Sequence, residues 1–157
     1  MSSNIIYEIY TSTAKKRTFE EQVSELLEKS SSDKPIIRLT FFGSPTSNEE
    51  YVKQLNIIQK ETNDIFGNNL PSISYVAQKP LIGNLILESS KLSNPTWNIN
   101  YQSNESIRYT ELENTNNKIL IINILHENIQ NNIKAQSQDV FARFEDILCN
   151  KGYDINS

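Results

Sequence analysis

The sequence predicts an α+β fold in which helices pack on one face of a mixed, mostly antiparallel sheet. Two observations lead to this class. The first half alternates strand-like and helix-like segments, and the second half is a run of strands followed by one amphipathic helix. The predicted order is β-α-β-α-β-β-β-β-β-α, which favours segregated helices over a doubly wound sheet. A chain of 157 residues suits one domain spanning residues 1–157.

The first half contains two strands and two helices whose boundaries are marked locally. Ile5–Tyr10 alternates as a half-buried strand, and Lys34–Gly43 is apolar on both faces, which predicts a strand inside the sheet. Thr18 followed three residues later by glutamate is a capping box, and Ser47 repeats the pattern. Gly67 is a natural stop for the second helix.

The stretch Pro71–Leu87 joins the two halves. Apolar residues alternate over Ile73–Ala77, Lys79 and the proline after it interrupt the pattern, and a second apolar run covers Leu81–Leu87. The pattern predicts two strands separated by a break.

The second half is predicted to be a meander closed by a helix. Thr96–Gln102 alternates with one face in water, and Ser106–Leu112 pairs with Lys118–Leu125 across an asparagine-rich turn. The second hairpin arm is apolar on both faces and is predicted to be a central strand. A final amphipathic helix ends at Gly152. Its predicted apolar stripe consists of Ile133, Val140, Phe141, Phe144, Ile147 and Leu148.

Composition argues against several classes of partner. The net charge of −4 and a pI near 5.1 disfavour nucleic-acid binding, and the single local basic group, Lys15–Arg17, is interpreted as a solvated loop. Apolar runs are too short to span a membrane, and no secretory signal is visible at the start. The single cysteine suits a reducing compartment, so we expect a cytoplasmic protein.

No complete catalytic or cofactor motif is recognisable. His126 and Cys149 are the single histidine and cysteine, so a zinc site or a nucleophile–histidine pair cannot be assembled from them. His126 is interpreted as a surface residue and Cys149 as core or boundary packing. The four glycines are isolated, which excludes a phosphate loop and a dinucleotide fingerprint. We therefore predict neither a metal nor a cofactor.

Several polar side chains interrupt the apolar strands and are candidates for ligand binding. If their strands are neighbours, Arg108 and Tyr109 beside Gln78 and Lys79 would form a pocket for a small carboxylic acid, because arginine binds carboxylates by two contacts. The alternative is that these residues, like Arg38, lie on a solvent-facing strand surface with buried stems.

The pattern of Ile107–Gly152 resembles the first half of the RidA/YjgF family, also called UK114 or endoribonuclease L-PSP. The resemblance lies in RYTEL, KILIINIL, Gln136 ahead of an apolar helical stripe, and Gly152. Upstream, IRLTFFGSPTSNEEY and PSISYVAQKPLIGNL are similar to the N-terminal part of chorismatase-like proteins. The resemblance implies a YjgF-like, chorismate-mutase-like fold for most of the chain.

In the RidA/YjgF family, the arginine that binds the substrate carboxylate lies in the second half of the fold, and this sequence resembles the first half. The resemblance therefore implies a non-catalytic N-terminal domain of a longer two-domain protein, packed against a catalytic domain or an identical subunit. One alternative is a YjgF-type enzyme, acting on an enamine, imine or chorismate-like acid at a site shared within a trimer. The other alternative is a module that binds a small carboxylate or a protein.

Overall fold

The computed structural model describes residues 5–12, 17–93, 96–103, 107–124 and 133–153, and these form an α+β fold. The predicted order of elements is confirmed, with a short 3₁₀ helix added after the second helix. The strands are β1 (Ile5–Thr11), β2 (Ile36–Gly43), β3 (Ser72–Ala77), β4 (Ile86–Leu92), β5 (Asn98–Ser103), β6 (Ile107–Glu113) and β7 (Lys118–Ile124). The helices are α1 (Phe19–Ser30), α2 (Asn48–Phe66) and α3 (Ile133–Asn150), and the 3₁₀ helix is Gly67–Asn69.

The strands divide between two sheets rather than forming one. The larger sheet has the order β1-β4-β2-β3, in which β2 and β3 are parallel and the other pairs are antiparallel. The smaller sheet, β5-β6-β7, is antiparallel throughout. The predicted internal position of β2 is confirmed, because it lies between β4 and β3.

The main core lies between the larger sheet and the helices α1 and α2. Helical spacing places apolar residues of both helices on the faces that meet β2, β3 and β4, where they are removed from water. The residues that form this core are Val23, Leu26, Leu27, Ile36, Leu39, Phe41, Leu55, Ile58, Leu70, Ile73, Tyr75, Leu85 and Leu87.

The predicted helix ends are observed, with one difference. Thr18 and Glu21 form the full capping box, and Gly152 ends α3 with a backbone bond from Tyr153 N to the Leu148 carbonyl at 2.9 Å. At α2 the Ser47 hydroxyl accepts from the Glu50 amide at 3.2 Å. The Glu50 carboxylate, however, accepts from the backbone and hydroxyl of Thr46 instead of returning to Ser47.

The prediction of a strand over Leu81–Leu87 is wrong, because β4 is Ile86–Leu92. Leu81 and Ile82 are exposed in the connection between β3 and β4. The strand itself contains two serines and a lysine, which resemble a loop in the sequence, yet it runs between β1 and β2 and these residues are buried.

The buried lysine of β4 is tolerated because it has a charged partner on β1. Lys91 is 2 % exposed, and its ammonium donates to the Glu8 carboxylate and, at 3.1 Å, to the Tyr10 hydroxyl. An unpaired ammonium in this position would be strongly unfavourable. This pairing turns the Glu8 and Tyr10 side of β1 toward the helices and leaves Tyr7 and Ile9 exposed on the opposite side.

The smaller sheet packs on the larger one near the beginning of β2 and β3. Leu112 lies against Ile37 and Leu92 in a second, smaller core. The Thr110 hydroxyl donates to the Ile37 carbonyl at 2.9 Å and accepts from the Ser72 amide at 3.3 Å. The prediction that Lys118–Leu125 is a central strand is wrong, because β7 is an edge strand and β6 lies in the centre.

Glu111 on β6 connects the end of α3 to the smaller sheet. Its carboxylate forms ion pairs with Lys118 and Lys151, both at 2.7 Å, and these hydrogen bonds lower the pKa of Glu111. Two expectations for α3 are wrong, since Phe141 is 68 % exposed and Cys149 is also exposed. The contact between the end of α3 and the smaller sheet therefore includes the ion pair of Lys151 with Glu111, which the predicted apolar stripe of α3 did not indicate.

We expect Glu111→Gln to destabilise the protein by about 1–2 kcal/mol at pH 7, because it removes the charge that pairs with both lysines. The pKa of Glu111 is lower in the folded state than in the unfolded state, where it is about 4.5. The ion pairs therefore stabilise the fold fully above about pH 4.5, and this stabilisation is lost as the pH falls through the folded-state pKa. Urea unfolding at several pH values checks this. A difference between wild type and variant that does not decrease as the pH falls below 4.5 would contradict it.

Candidate functional site

A cleft lies where the parallel strands β2 and β3 end. Its volume is about 350 Å³. In sheets with parallel strands, ligands bind preferentially outside the carboxyl ends of the strands, where connections diverge. We refer to this site as the Lys79 cleft. It is lined by Phe19, Gln22, Ser44, Gln54, Lys79, Gly83 and Asn84.

Each side of the Lys79 cleft comes from a different element. Phe19 and Gln22 lie in the first turns of α1, and Gln54 lies in α2. Ser44 follows β2 directly, and Lys79 follows β3 by two residues. The wall thus combines one ammonium group, three amides and a hydroxyl with one aromatic ring, a composition suited to a small polar anion.

Tyr75 contacts two of the residues that line the cleft, Phe19 and Gln54. Its ring stacks on that of Tyr51 at 5.0 Å and meets Phe19 edge-on at 6.3 Å. Its hydroxyl donates to Gln54 Oε1, and Gln54 Nε2 donates to the Glu50 carboxylate at 2.9 Å. Burial raises the pKa of Tyr75, so the hydroxyl remains protonated and continues to donate. This chain of bonds holds the Gln54 amide in one orientation.

Gln22 carries a buried acceptor beside the cleft. Its Nε2 donates to the carbonyls of Arg17 and Thr18 at 3.2 and 3.4 Å. Its Oε1 is enclosed and has no hydrogen-bond partner among the described residues. Because an unpaired buried acceptor is unfavourable, an N–H or O–H donor at Gln22 Oε1 would be stabilising.

The connection from β3 to β4 closes one side of the cleft. Gly83 adopts a positive φ of 75°, and a side chain there would meet the Ser12 carbonyl oxygen at 2.7 Å. The Ser12 amide also donates to the Leu85 carbonyl at 3.1 Å. Close packing against the end of β1 therefore requires glycine at this position.

At each of the two helix starts near the cleft, a glutamate carboxylate accepts from a backbone amide that precedes the helix. Glu21 Oε2 accepts from the Thr18 amide at 2.7 Å, and Glu50 Oε2 accepts from the Thr46 amide at the same distance. These bonds lower the pKa of both carboxyl groups.

Of the four residues predicted to bind a ligand, only Lys79 lines the cleft. Lys79 is exposed, and no described carboxylate pairs with its ammonium. Gln78, the residue before it, is also exposed. The backbone amide of Gln78 donates to the Val76 carbonyl at 2.8 Å where β3 ends. Gln78 is not part of the wall.

Arg108 and Tyr109 lie at the other end of β3. Thr110, two residues after Arg108 on β6, contacts Ser72 at the start of β3. Ser72 lies roughly 20 Å from Lys79 along the direction of β3. Successive residues on a strand face opposite sides, so Arg108 points toward α2 while the ring of Tyr109 lies 5.3 Å from the ammonium of Lys151. β3 and β6 meet at Ser72 and Thr110, at the opposite end of β3 from Lys79, so the four residues are not brought into one pocket.

The sequence interpretation missed the amides of the cleft. Gln22 and Gln54 occupy positions within the apolar stripes of α1 and α2, three residues after Phe19 and Tyr51. A polar side chain on an apolar helical face was the available signal, since such a residue either faces a partner or lines a site. Asn84 carried no comparable signal because it is an ordinary loop residue.

Metal binding and histidine chemistry receive no support in the described part of the chain. No group of three or more His, Cys, Asp or Glu side chains comes together there. His126 lies outside the described residues. Among the helices described, none combines the length with the apolar composition that a bilayer-spanning segment requires.

No protein-family model, no curated protein and no solved structure matches this chain. The resemblance to the RidA/YjgF family therefore stays a prediction that depends on the sequence motifs alone.

We expect Gly43→Ala to disturb Tyr75 and, through it, the orientation of Gln54 in the cleft wall. An added Cβ would lie 2.5 Å from the Tyr75 hydroxyl and 3.0 Å from Cε2, so the ring must shift and its bond to Gln54 is strained. The expected loss is about 1–3 kcal/mol of unfolding free energy. Denaturant unfolding of Gly43→Ala, Tyr75→Phe and the double variant provides a double-mutant cycle. Strict additivity would contradict the proposed contact.

Proposed function

We propose that this chain is a binding module for a small carboxylate, held in the Lys79 cleft. The observation that supports this most directly is an ammonium group without a described carboxylate partner in a cleft at the carboxyl ends of two parallel strands. Charge pairing with Lys79 would orient the carboxylate. Ser44 and Asn84, which both donate and accept, would select a ligand that also carries hydroxyl or amide groups.

The composition of the wall favours binding over turnover. Its seven residues include no carboxylic acid, imidazole or thiol, which are the usual groups for proton transfer and nucleophilic attack. The volume of about 350 Å³ accommodates a compact molecule. This proposal agrees with the small-carboxylate module predicted from the sequence, and it replaces that prediction's four-residue pocket by a different set of side chains.

The proposal is compatible with a non-catalytic N-terminal domain of a chorismatase-like protein, which stays a prediction. The YjgF-type enzyme with a site shared between subunits also stays a prediction, as does the cytoplasmic location. All three depend on the sequence resemblance or on composition.

The test is titration calorimetry with lactate as a small hydroxy acid and lactamide as its neutral analogue. We expect saturable lactate binding that is about tenfold weaker in Lys79→Ala, because an exposed ion pair with one hydrogen bond contributes about 1 kcal/mol or slightly more. Lactamide should bind wild type no better than lactate binds the variant.

Lys134→Ala is the matched control, because it removes another exposed lysine, which lies on α3 and does not line the cleft. It should bind lactate as wild type does. Equal loss of affinity in Lys79→Ala and Lys134→Ala would show that net charge alone attracts the anion, and the Lys79 cleft would then be excluded as its site.

A second candidate role is association with identical subunits, and β1 is the feature that favours it. β1 is an edge strand of the larger sheet, and Tyr7 and Ile9 on one of its faces are 63 % and 69 % exposed. Unpaired edges with exposed apolar residues are sites of strand addition. Antiparallel pairing of two β1 strands would satisfy both edges symmetrically.

Light scattering of wild type and of Ile9→Lys tests this association. We expect a concentration-dependent oligomer for wild type and a monomer for the variant, because a lysine on the exposed face of an edge strand opposes pairing. A wild-type protein that stays monomeric at all accessible concentrations would contradict self-association and the predicted trimer together.

A further inference from the structure

Arg108 is a buried cation whose hydrogen-bond donors are mostly unused. The residue is 7 % exposed. Its Nη2 donates to Asn63 Oδ1 on α2 at 3.2 Å, while Nε and Nη1 are enclosed without a partner. A guanidinium group has five N–H donors and no acceptor, so one neutral amide oxygen leaves most of it unsatisfied.

The nearest residue across the sheet adds another donor. Asn123 on β7 is directly opposite Arg108 in the antiparallel register, which places both side chains on the same face. Asn123 Nδ2 is buried and likewise has no acceptor among the described residues. The unsatisfied groups at this point are therefore three nitrogens, all of which donate.

An acidic group would both accept from these donors and neutralise the charge of Arg108. Burial lowers the pKa of Arg108, yet a guanidinium remains charged at neutral pH. A buried charge without a counter-ion is strongly unfavourable, and folded proteins satisfy such a charge with an acidic partner. Among the described residues no carboxylate reaches Arg108, since its single described partner is the amide of Asn63.

We propose that Arg108 and Asn123 form an anion site that takes a carboxylate, entering from the side of Asn63. Asn63 is exposed and holds the guanidinium by one bond to a neutral oxygen, so a carboxylate that displaces it exchanges a neutral acceptor for a charged one. Asn123 Nδ2 then donates to the same anion. We call this the Arg108 site.

The Arg108 site is separate from the Lys79 cleft. Thr110, two residues from Arg108, contacts the first residue of β3, whereas Lys79 follows the last one. Neither Arg108 nor Asn123 lines the Lys79 cleft. Lys79→Ala should therefore leave the Arg108 site unchanged, and the two proposals can fail independently.

The experiment is thermal unfolding in formate against chloride at constant ionic strength, with the intact chain. We expect formate to raise the Tm of wild type saturably and to have no greater effect than chloride on Arg108→Met. A variant without the unpaired charge should also be at least as stable as wild type in chloride, because apolar replacement of a buried charge is often stabilising.

Asn63→Asp tests the same site without removing the arginine. An aspartate there would supply an internal carboxylate to Nη2, so we expect a Tm above that of wild type in chloride and no further response to formate. Asn56→Asp is the matched control, because it adds the same charge at an exposed position of α2. It should keep the wild-type response to formate.

Two results would overturn the proposal: a wild-type Tm that rises no more in formate than in chloride, or an Arg108→Met variant that responds as wild type does. If Arg108→Met does not fold, the comparison of Asn63→Asp with Asn56→Asp decides. Equal Tm values and equal formate responses in those two variants would exclude the site.

Discussion

Parallel pairing of β2 and β3 is the constraint on which the rest of the structure depends. Because the two strands run in the same direction, their first residues lie together at one end of the sheet and their last residues at the other. The connection between them must cross the sheet, and α2 provides that crossing. The carboxyl ends remain open as the Lys79 cleft, while the smaller sheet covers the opposite end.

The junction between the sheets combines hydroxyl hydrogen bonds from Thr110 and Tyr101 with a small apolar contact. Thr110 donates to a carbonyl of β2 and accepts from an amide of β3. The apolar contact beside it centres on Ile37, Leu92 and Leu112, a much smaller cluster than the core under the helices. A fully buried hydroxyl with both partners satisfied specifies where β6 lies, whereas apolar packing alone tolerates small shifts.

Buried polar groups in this protein fall into two kinds. Lys91 and Glu111 are paired with opposite charges, and their roles are structural because each connects two elements. Arg108 and Gln22 retain unused donors or an unused acceptor at positions removed from water. Unsatisfied groups of the second kind are energetically unfavourable in the isolated chain, which is the physical reason to look for a ligand at each of them.

The sequence by itself determined the elements whose signals are local: the order of strands and helices, the capping box at Thr18, and the stop at Gly152. Tertiary structure alone decided that β4 includes buried serines and Lys91, that β7 is an edge, and that Arg108 and Lys79 lie apart. Lys79 was singled out from the sequence because it interrupts an apolar run, but Gln22 and Gln54, which line the same cleft, come from two helices. Caps and turns act over a few residues, whereas strand neighbours and burial depend on contacts between distant segments, which no local pattern encodes.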